Sequence, residues 1–180
     1  MQRETESELM QRVAAGDTRA YRTLSDHFLD KIVAHGARLL GDPAEAEEVA
    51  QETFLRLWQG AARWRPEARL STWLFKVAQR LCIDRLRRRR EVGPDAIDRQ
   101  EAGDRPSALL MRKQLAERVS QALLALPERQ RAAISLAHYE GMTNPEVAEV
   151  LEISVEAVES LLARARRSLR SSLSKYYSQE

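Results

Sequence analysis

A chain of 180 residues, with 29 Lys and Arg against 27 Asp and Glu, has room for one or two small domains and carries a formal net charge of only +2. Its 31% charged and 6% aromatic content, with 7 Gly and 6 Pro, favours helices, and any affinity for nucleic acid must come from where the cations sit. No apolar run of about 18 residues could span a membrane, the opening MQRETESELM lacks a signal core, and the single Cys82 excludes an internal disulfide, so a cytoplasmic location is expected.

The first block runs from about Glu6 to Arg90. SELMQRVAAGD predicts a short helix stopped near Gly16. DTRAYRTLSDHFLDKIVAHGARLLGD predicts a longer one ending at Gly41-Asp42, and Pro43 suits the first turn of a third. There Ala46, Val49, Ala50, Thr53, Phe54 and Leu57 recur at helical spacing as a buried stripe. Glu45, Glu48, Glu52, Arg56 and Gln59 fall on the opposite face. RWRPEAR breaks the pattern and reads as a loop. Ser71 or Thr72 is the expected cap of a fourth helix, which runs to the cluster RLRRRR. Its inner face holds Leu74, Val77, Ala78, Leu81 and Cys82; an outer face holds Lys76, Arg80 and Arg87.

EVGPDAIDRQEAGDRPS has no period and is mostly acidic, which reads as a flexible linker from Glu91 to about Pro106. The second block begins near Ser107. SALLMRKQLAERVSQALLAL is amphipathic and halts before Pro127; PERQRAAISLAHYEGM is a further helix ended by Gly141. Thr143 and Glu146 match a capping box for a short helix to about Leu151. EIS is then a turn, and Ser154 caps the last helix. No repeat and no strand-like alternation is found.

Helix, short turn, helix is the helix-turn-helix arrangement. On the last helix Val158, Leu161, Leu162, Ala165 and Leu169 form an apolar face that must pack inward. Glu156, Glu159, Ser160, Ala163, Arg164 and Arg167 form the other, which is left to meet a partner. In such motifs the early part of the second helix enters the major groove while flanking cations hold phosphates. Glu156 is explained by the helix macrodipole alone. Glu159, one turn deeper, has two readings: it accepts a hydrogen bond from cytosine N4, or it pairs with a neighbouring arginine. Arg164, Arg166 and Arg167 supply the affinity.

EAEEVAQETFLRLW with RWRPEARLSTWLFKVAQRLCIDRLRRRR resembles region 2 of the sigma-70 family of initiation factors. LPERQRAAISLAHYEGMTNPEVAEVLEISVEAVESLLARARRSL resembles region 4. With SELMQRVAAGDTRAYRTL these cover nearly all of the chain outside the linker, in the order of the extracytoplasmic-function (ECF) class, which has no region 3 domain. The resemblance implies an all-α fold of two small helical domains. These are a region 2-like bundle over 1–90 and a region 4-like helix-turn-helix domain over 107–180, joined by a flexible linker over 91–106.

It also implies binding to core RNA polymerase and direction of it to promoter DNA. Region 2 docks on the β′ clamp helices and melts the −10 element; region 4 docks on the β flap and reads the −35 element. Glu48, Gln51, Glu52 and Arg56 match the polymerase-contacting stripe. The −10 work falls to the loop from Arg65 to Arg69 and to Lys76, Arg80 and Arg87, since strand opening needs a basic surface and a pocket for an unstacked base. Trp64 and Trp73 are candidates for stacking, but their spacing favours the core, and RLRRRR is a candidate track for duplex phosphates.

Many relatives carry asparagine at the position of Arg80, a basic residue at that of Glu159 and arginine at that of Leu161, so a different promoter sequence is implied. On the same resemblance, Glu159, Ser160, Ala163 and Arg164 face the bases. An anti-sigma protein, often membrane-anchored in this class, is the implied inhibitor and is expected to wedge between the two blocks. No enzyme, cofactor or metal is implied: there is no P-loop, GxSxG, HExxH or paired-cysteine motif, and His27, His35 and His138 are scattered. The competing reading is a helix-turn-helix regulator that binds DNA without polymerase.

Overall fold

The structure, a computed structural model, describes residues 5–66, 69–92 and 108–177, and every regular element among them is helical. In chain order these are α1 (Glu6–Ala14), α2 (Thr18–Leu40), α3 (Pro43–Gly60), a single 3₁₀ turn (Ala61–Arg63), α4 (Leu70–Val92), α5 (Ala108–Leu124), α6 (Glu128–Ile134) with a π-helical continuation (Ser135–Tyr139), α7 (Asn144–Leu151) and α8 (Val155–Tyr177).

The helix starts follow from short polar side chains that satisfy free amides. Thr5 and Glu8 form a capping box on α1, Asp17 accepts from the Arg19 and Ala20 amides, and Asp42 accepts from those of Ala44 and Glu45 with Pro43 in the first turn. Each such cap contributes about 1 kcal/mol. Gly41 ends α2 at φ 71, a left-handed conformation open to glycine.

One expected cap is wrong. Helix α4 begins at Leu70, so Ser71 and Thr72 lie inside its first turn, and Thr72 is buried. The fully buried Leu70 and the Trp73 amide, which donates to the Arg69 carbonyl, draw the helix start back to follow Arg69, two residues before a Ser71 cap. The helix after Pro127 is also not uniform. It widens into a π segment at Ser135, where the Glu140 amide donates to the Ser135 carbonyl. The linker expected over 91–106 lies, from residue 93 on, outside the described residues; Glu91 continues α4.

The apolar stripe expected on α3 is the buried one, Ala46 to Leu57, and it lies chiefly against α2. Close approach is set by Gly36 on α2: a Cβ there would stand 3.1 Å from the Cα and Cβ of Ala46. Helix α8 buries Val158, Leu162 and Ala165 against α6 and α7.

The two blocks share one contiguous core, with α2 against α5 and α6 and α4 against α7. Their seam also holds a buried polar chain. Arg38 Nε donates to Ser135 Oγ (2.9 Å), Ser135 Oγ lies 3.1 Å from His35 Nδ1, and His35 Nε2 lies 3.1 Å from Gln79 Oε1. The Gln79 oxygen only accepts, so Nε2 carries the proton and Nδ1 accepts from the Ser135 hydroxyl. His35 is therefore the neutral tautomer. Its complete burial, and secondarily the Arg38 charge, pushes its pKa down to about 3. Arg38 also pairs with Glu140 and lies 4.4 Å over the Tyr139 ring. An inhibitor expected to wedge between the blocks meets a seam already closed by direct contact.

Candidate nucleic-acid and polymerase interfaces

Three surfaces gather the residues singled out in the sequence. The first is the outer face of α8. Ser154 caps this helix by accepting from the Ala157 amide at 3.2 Å, and the buried Val158–Leu162–Ala165 stripe fixes which side faces out. Glu159, Ser160, Ala163, Arg164, Arg166 and Arg167 are all exposed. Glu156 lies in the first turn, where hydrogen bonds from its own amide and from Ser154 hold its carboxyl below the usual range, in keeping with a helix-start role. Glu159 forms no ion pair among the described residues. Its helical neighbours at three and four residues' distance are Val155, Glu156, Leu162 and Ala163, none of them a cation, so pairing with an arginine of its own helix has no geometry to use. The acceptor therefore points outward unoccupied, beside the small Ser160 and Ala163.

The second surface is basic and lies on α4 with the loop before it. Residues 67–68 of that loop are outside the described residues. Arg69, Lys76 and Arg80 are brought together, and each is engaged by a carboxylate from α7 or its end. Arg69 Nη1 meets Glu146 Oε1 at 3.0 Å, while Lys76 Nζ and Arg80 Nη2 meet Glu152 Oε1 at 3.2 and 2.6 Å. Arg80 and then Lys76, as hydrogen-bond donors, hold the Glu152 carboxyl below its usual range. Arg65 stands apart and donates to the Trp64 carbonyl; Arg87 faces solvent two turns further along, beside Asp84 and Glu91 of its own helix.

Trp64 and Trp73 are half-buried and pack on the core, the reading that their spacing favoured. With Met10, Leu57, Gly60 and Arg63 they also line a cavity of about 170 Å³ beside the loop. The run RLRRRR is not a free phosphate track throughout. Arg85 pairs with Glu48 (2.9 Å), Arg89 pairs with Glu45 (2.8 Å) and donates to the Leu40 carbonyl, and Arg90 pairs with Glu128. Because α3 presents Glu45 and Glu48 to α4, and α6 presents Glu128, these arginines join helices, while Arg87, Arg88 and Arg90 of the run stay exposed.

The third surface is a groove across α2, α3 and α4. Glu48, Gln51, Glu52 and Arg56 line its polar part, about 580 Å³, with Leu55, Arg85 and Arg88; Arg56 and Glu52 pair at 2.9 Å. Gln51 and Leu55 continue into an apolar part of about 530 Å³, lined also by Tyr21, Leu29, Phe54 and Trp58. Leu29, Leu55 and Trp58 are 40%, 48% and 37% exposed, unusual for large apolar side chains standing together. The sequence reading missed them. Their signal was available, since Leu55 and Trp58 fall off the buried stripe of α3.

Cys82 is buried and its thiol is pushed up to about 12 by burial, so it is packed and unreactive. Among the described residues, no group of three or more His, Cys, Asp or Glu is placed to hold a metal, and no helix is long and apolar enough to cross a membrane.

Family models match this architecture in order: Sigma-70 region 2 over residues 24–92 and Sigma-70, region 4 over residues 116–169. The chain is 30% identical to the ECF RNA polymerase sigma factor SigW of Bacillus subtilis, over 91% of this chain and 94% of SigW. It is 32% identical to the ECF RNA polymerase sigma factor SigK of Mycobacterium bovis, over 92% and 91%. Its structure is similar to that of CnrH in complex with the cytosolic domain of CnrY, with 29% identity, a TM-score of 0.73 and coverage of 96% of this chain and 99% of CnrH. The sigma factor RpoE of Bartonella quintana, solved with the anti-sigma factor NepR, shares the fold at 22% identity and TM-score 0.71, over 86% and 96%.

A helical bundle joined to a helix-turn-helix block, matched in order by the region 2 and region 4 models, defines a transcription initiation factor of the sigma-70 type. The chain belongs to the ECF class of that family, whose members are non-enzymatic. That membership sets aside the polymerase-independent regulator.

Proposed function

We propose that the chain carries out promoter-specific initiation through three residue sets, one on each surface. Glu159, Ser160, Ala163 and Arg164 read the −35 element in the major groove, with Arg166 and Arg167 on flanking phosphates. Arg164 suits a bidentate contact to guanine, Glu159 a hydrogen bond from cytosine N4, and the Ala163 methyl a thymine methyl. Arg65, Arg69, Lys76, Arg80 and Arg87 track the −10 strand, and the small cavity walled by Trp64 and Trp73 is the nearest space for an unstacked base. Glu48, Gln51, Glu52 and Arg56 meet the β′ clamp helices of core RNA polymerase, with Leu55 and Trp58 as the apolar anchors of the contact. The region 4-like domain, 107–180, docks on the β flap, and 1–90 forms the region 2-like domain.

An anti-sigma protein, membrane-anchored or not, is the proposed inhibitor. With the inter-block seam closed, the exposed Leu29–Leu55–Trp58 groove is the surface it would cover. A cytoplasmic location follows from the polymerase partner. The observation that carries this reading is the outward set on α8. A glutamate with no ion-pair partner among the described residues stands among small side chains ahead of the arginines, a pattern for base choice rather than for bulk phosphate binding.

Run-off transcription tests it: the purified chain with bacterial core polymerase on genomic fragments should yield discrete starts sharing a −10 and a −35 motif. DNA binding by the chain alone, with no specific transcripts, would overturn the polymerase-dependent assignment.

A further inference from the structure

We propose that Glu146 and Glu152, near the start and at the end of α7, form an intramolecular lock that occupies the basic −10 surface until DNA displaces it. The inference rests on the −10 assignment of Arg69, Lys76 and Arg80 made above. Three of the five cations given to that strand already hold carboxylates of the other block. A carboxylate and a phosphate compete for the same ammonium and guanidinium donors. The strand and α7 therefore cannot use these cations at once.

Backbone conformation singles out Glu152. It is the one non-glycine residue with positive φ among the described residues, at φ 56 and ψ 46. That left-handed position favours glycine and disfavours a side chain. The Glu152 N–H closes the helix by donating to the Ala148 carbonyl, a task any residue but proline performs. Its carboxylate does nothing for α7: the hydrogen bond and ion pairs it makes all go to Lys76 and Arg80 on α4. Glu146 differs, because it also completes the capping box with Thr143.

Two further features suit a reversible lock. The Arg80–Glu152 pair is exposed on both sides, and such a pair is individually weak. Beneath them the seam includes His35, Gln79, Ser135, Arg38 and Glu140, polar groups whose hydrogen bonds water can replace on opening. The lock is also selective. Glu159, Ser160, Ala163 and Arg164 on α8 stay exposed in the same arrangement, so a −35 duplex can engage the closed chain before the −10 strand does.

The test is fluorescence anisotropy on the full chain, with a labelled single strand carrying the −10 sequence and a labelled −35 duplex, both taken from the run-off starts. If about a tenth of molecules are open, Glu152→Gly and Glu152→Gln should each bind the −10 strand about ten-fold more tightly. Binding of the −35 duplex should not change. Glu152→Gly should melt no lower than the parent, and Glu152→Gln removes the charge without altering the backbone preference. Unchanged −10 affinity in both variants overturns the lock. A Lys76→Ala/Arg80→Ala double variant separates the causes: if it loses strand binding, the −10 assignment stands and only the lock fails. If it binds as the parent does, the −10 assignment is wrong and the lock falls with it.

Discussion

The two surfaces proposed to face DNA differ in what the chain does with them before DNA arrives. On α8 the proposed reading residues stand exposed and Glu159 has no ion-pair partner among the described residues, while on α4 Arg69, Lys76 and Arg80 are held by carboxylates from the other block. Both faces are basic helix surfaces over an apolar stripe, so the difference is not in local sequence type. It comes from which neighbour the tertiary fold supplies. Helix α8 packs on α5, α6 and α7 of its own block, whereas α4 lies at the seam, against α7 with Glu146 and Glu152. A surface exposed in advance suits duplex DNA, which needs no opening. A surface that must be vacated suits a strand that becomes available only after melting.

The largest effect that sharpens this contrast is expected on the third surface. Trp58→Ala should weaken binding to core polymerase by about 2 kcal/mol or more, as for a buried aromatic anchor. Normal co-purification with folded variant would remove the groove from the polymerase contact. Next, Arg164→Ala should cost about 1–3 kcal/mol in −35 duplex affinity and leave −10 strand binding alone. A loss on both DNAs would break the division of labour between α8 and α4.

The seam itself is open to a pH test. Burial holds His35 neutral in the fold, with its pKa at about 3, well below the ordinary value of 6.5. Below that ordinary value the unfolded chain takes up a proton that the folded chain refuses. Stability from this group is therefore complete above the unfolded pKa and falls steadily as pH drops towards the folded one. A protonated Nδ1 would also point its hydrogen at a Ser135 oxygen that already accepts from Arg38. Urea unfolding at about pH 5.5 should show the parent roughly 1.4 kcal/mol less stable than at neutral pH through this group. His35→Gln should lack that increment; an equal pH response in both would show that the seam histidine is not the sensor. The smallest expected effect is on total affinity in Glu159→Arg, below about 1 kcal/mol, with the selected −35 base changed instead. Selection from randomised −35 sites returning the parental motif would refute base reading by Glu159.

Much of this was legible in the chain itself. The α3 stripe, the capping boxes and the apolar face of α8 follow from helical period and from which short side chains can satisfy amides. The same period already placed no cation of its own helix three or four residues from Glu159. Less legible were the cap of α4, displaced by the burial of Leu70, and the role of Gly36, whose missing Cβ matters only where α3 crosses it. The arginine run shows the limit most clearly. In sequence it is uniformly basic, and in the fold Arg85, Arg89 and Arg90 are taken up by glutamates of other helices.

Sequence alone thus determined the helices, their inward faces and the family, because these depend on local spacing and on residue types in fixed order. Tertiary structure decided what each polar side chain meets. Ion pairs such as Arg80 with Glu152, and the chain from Arg38 to Gln79, join residues far apart in sequence, and no periodicity records which charges will be brought together.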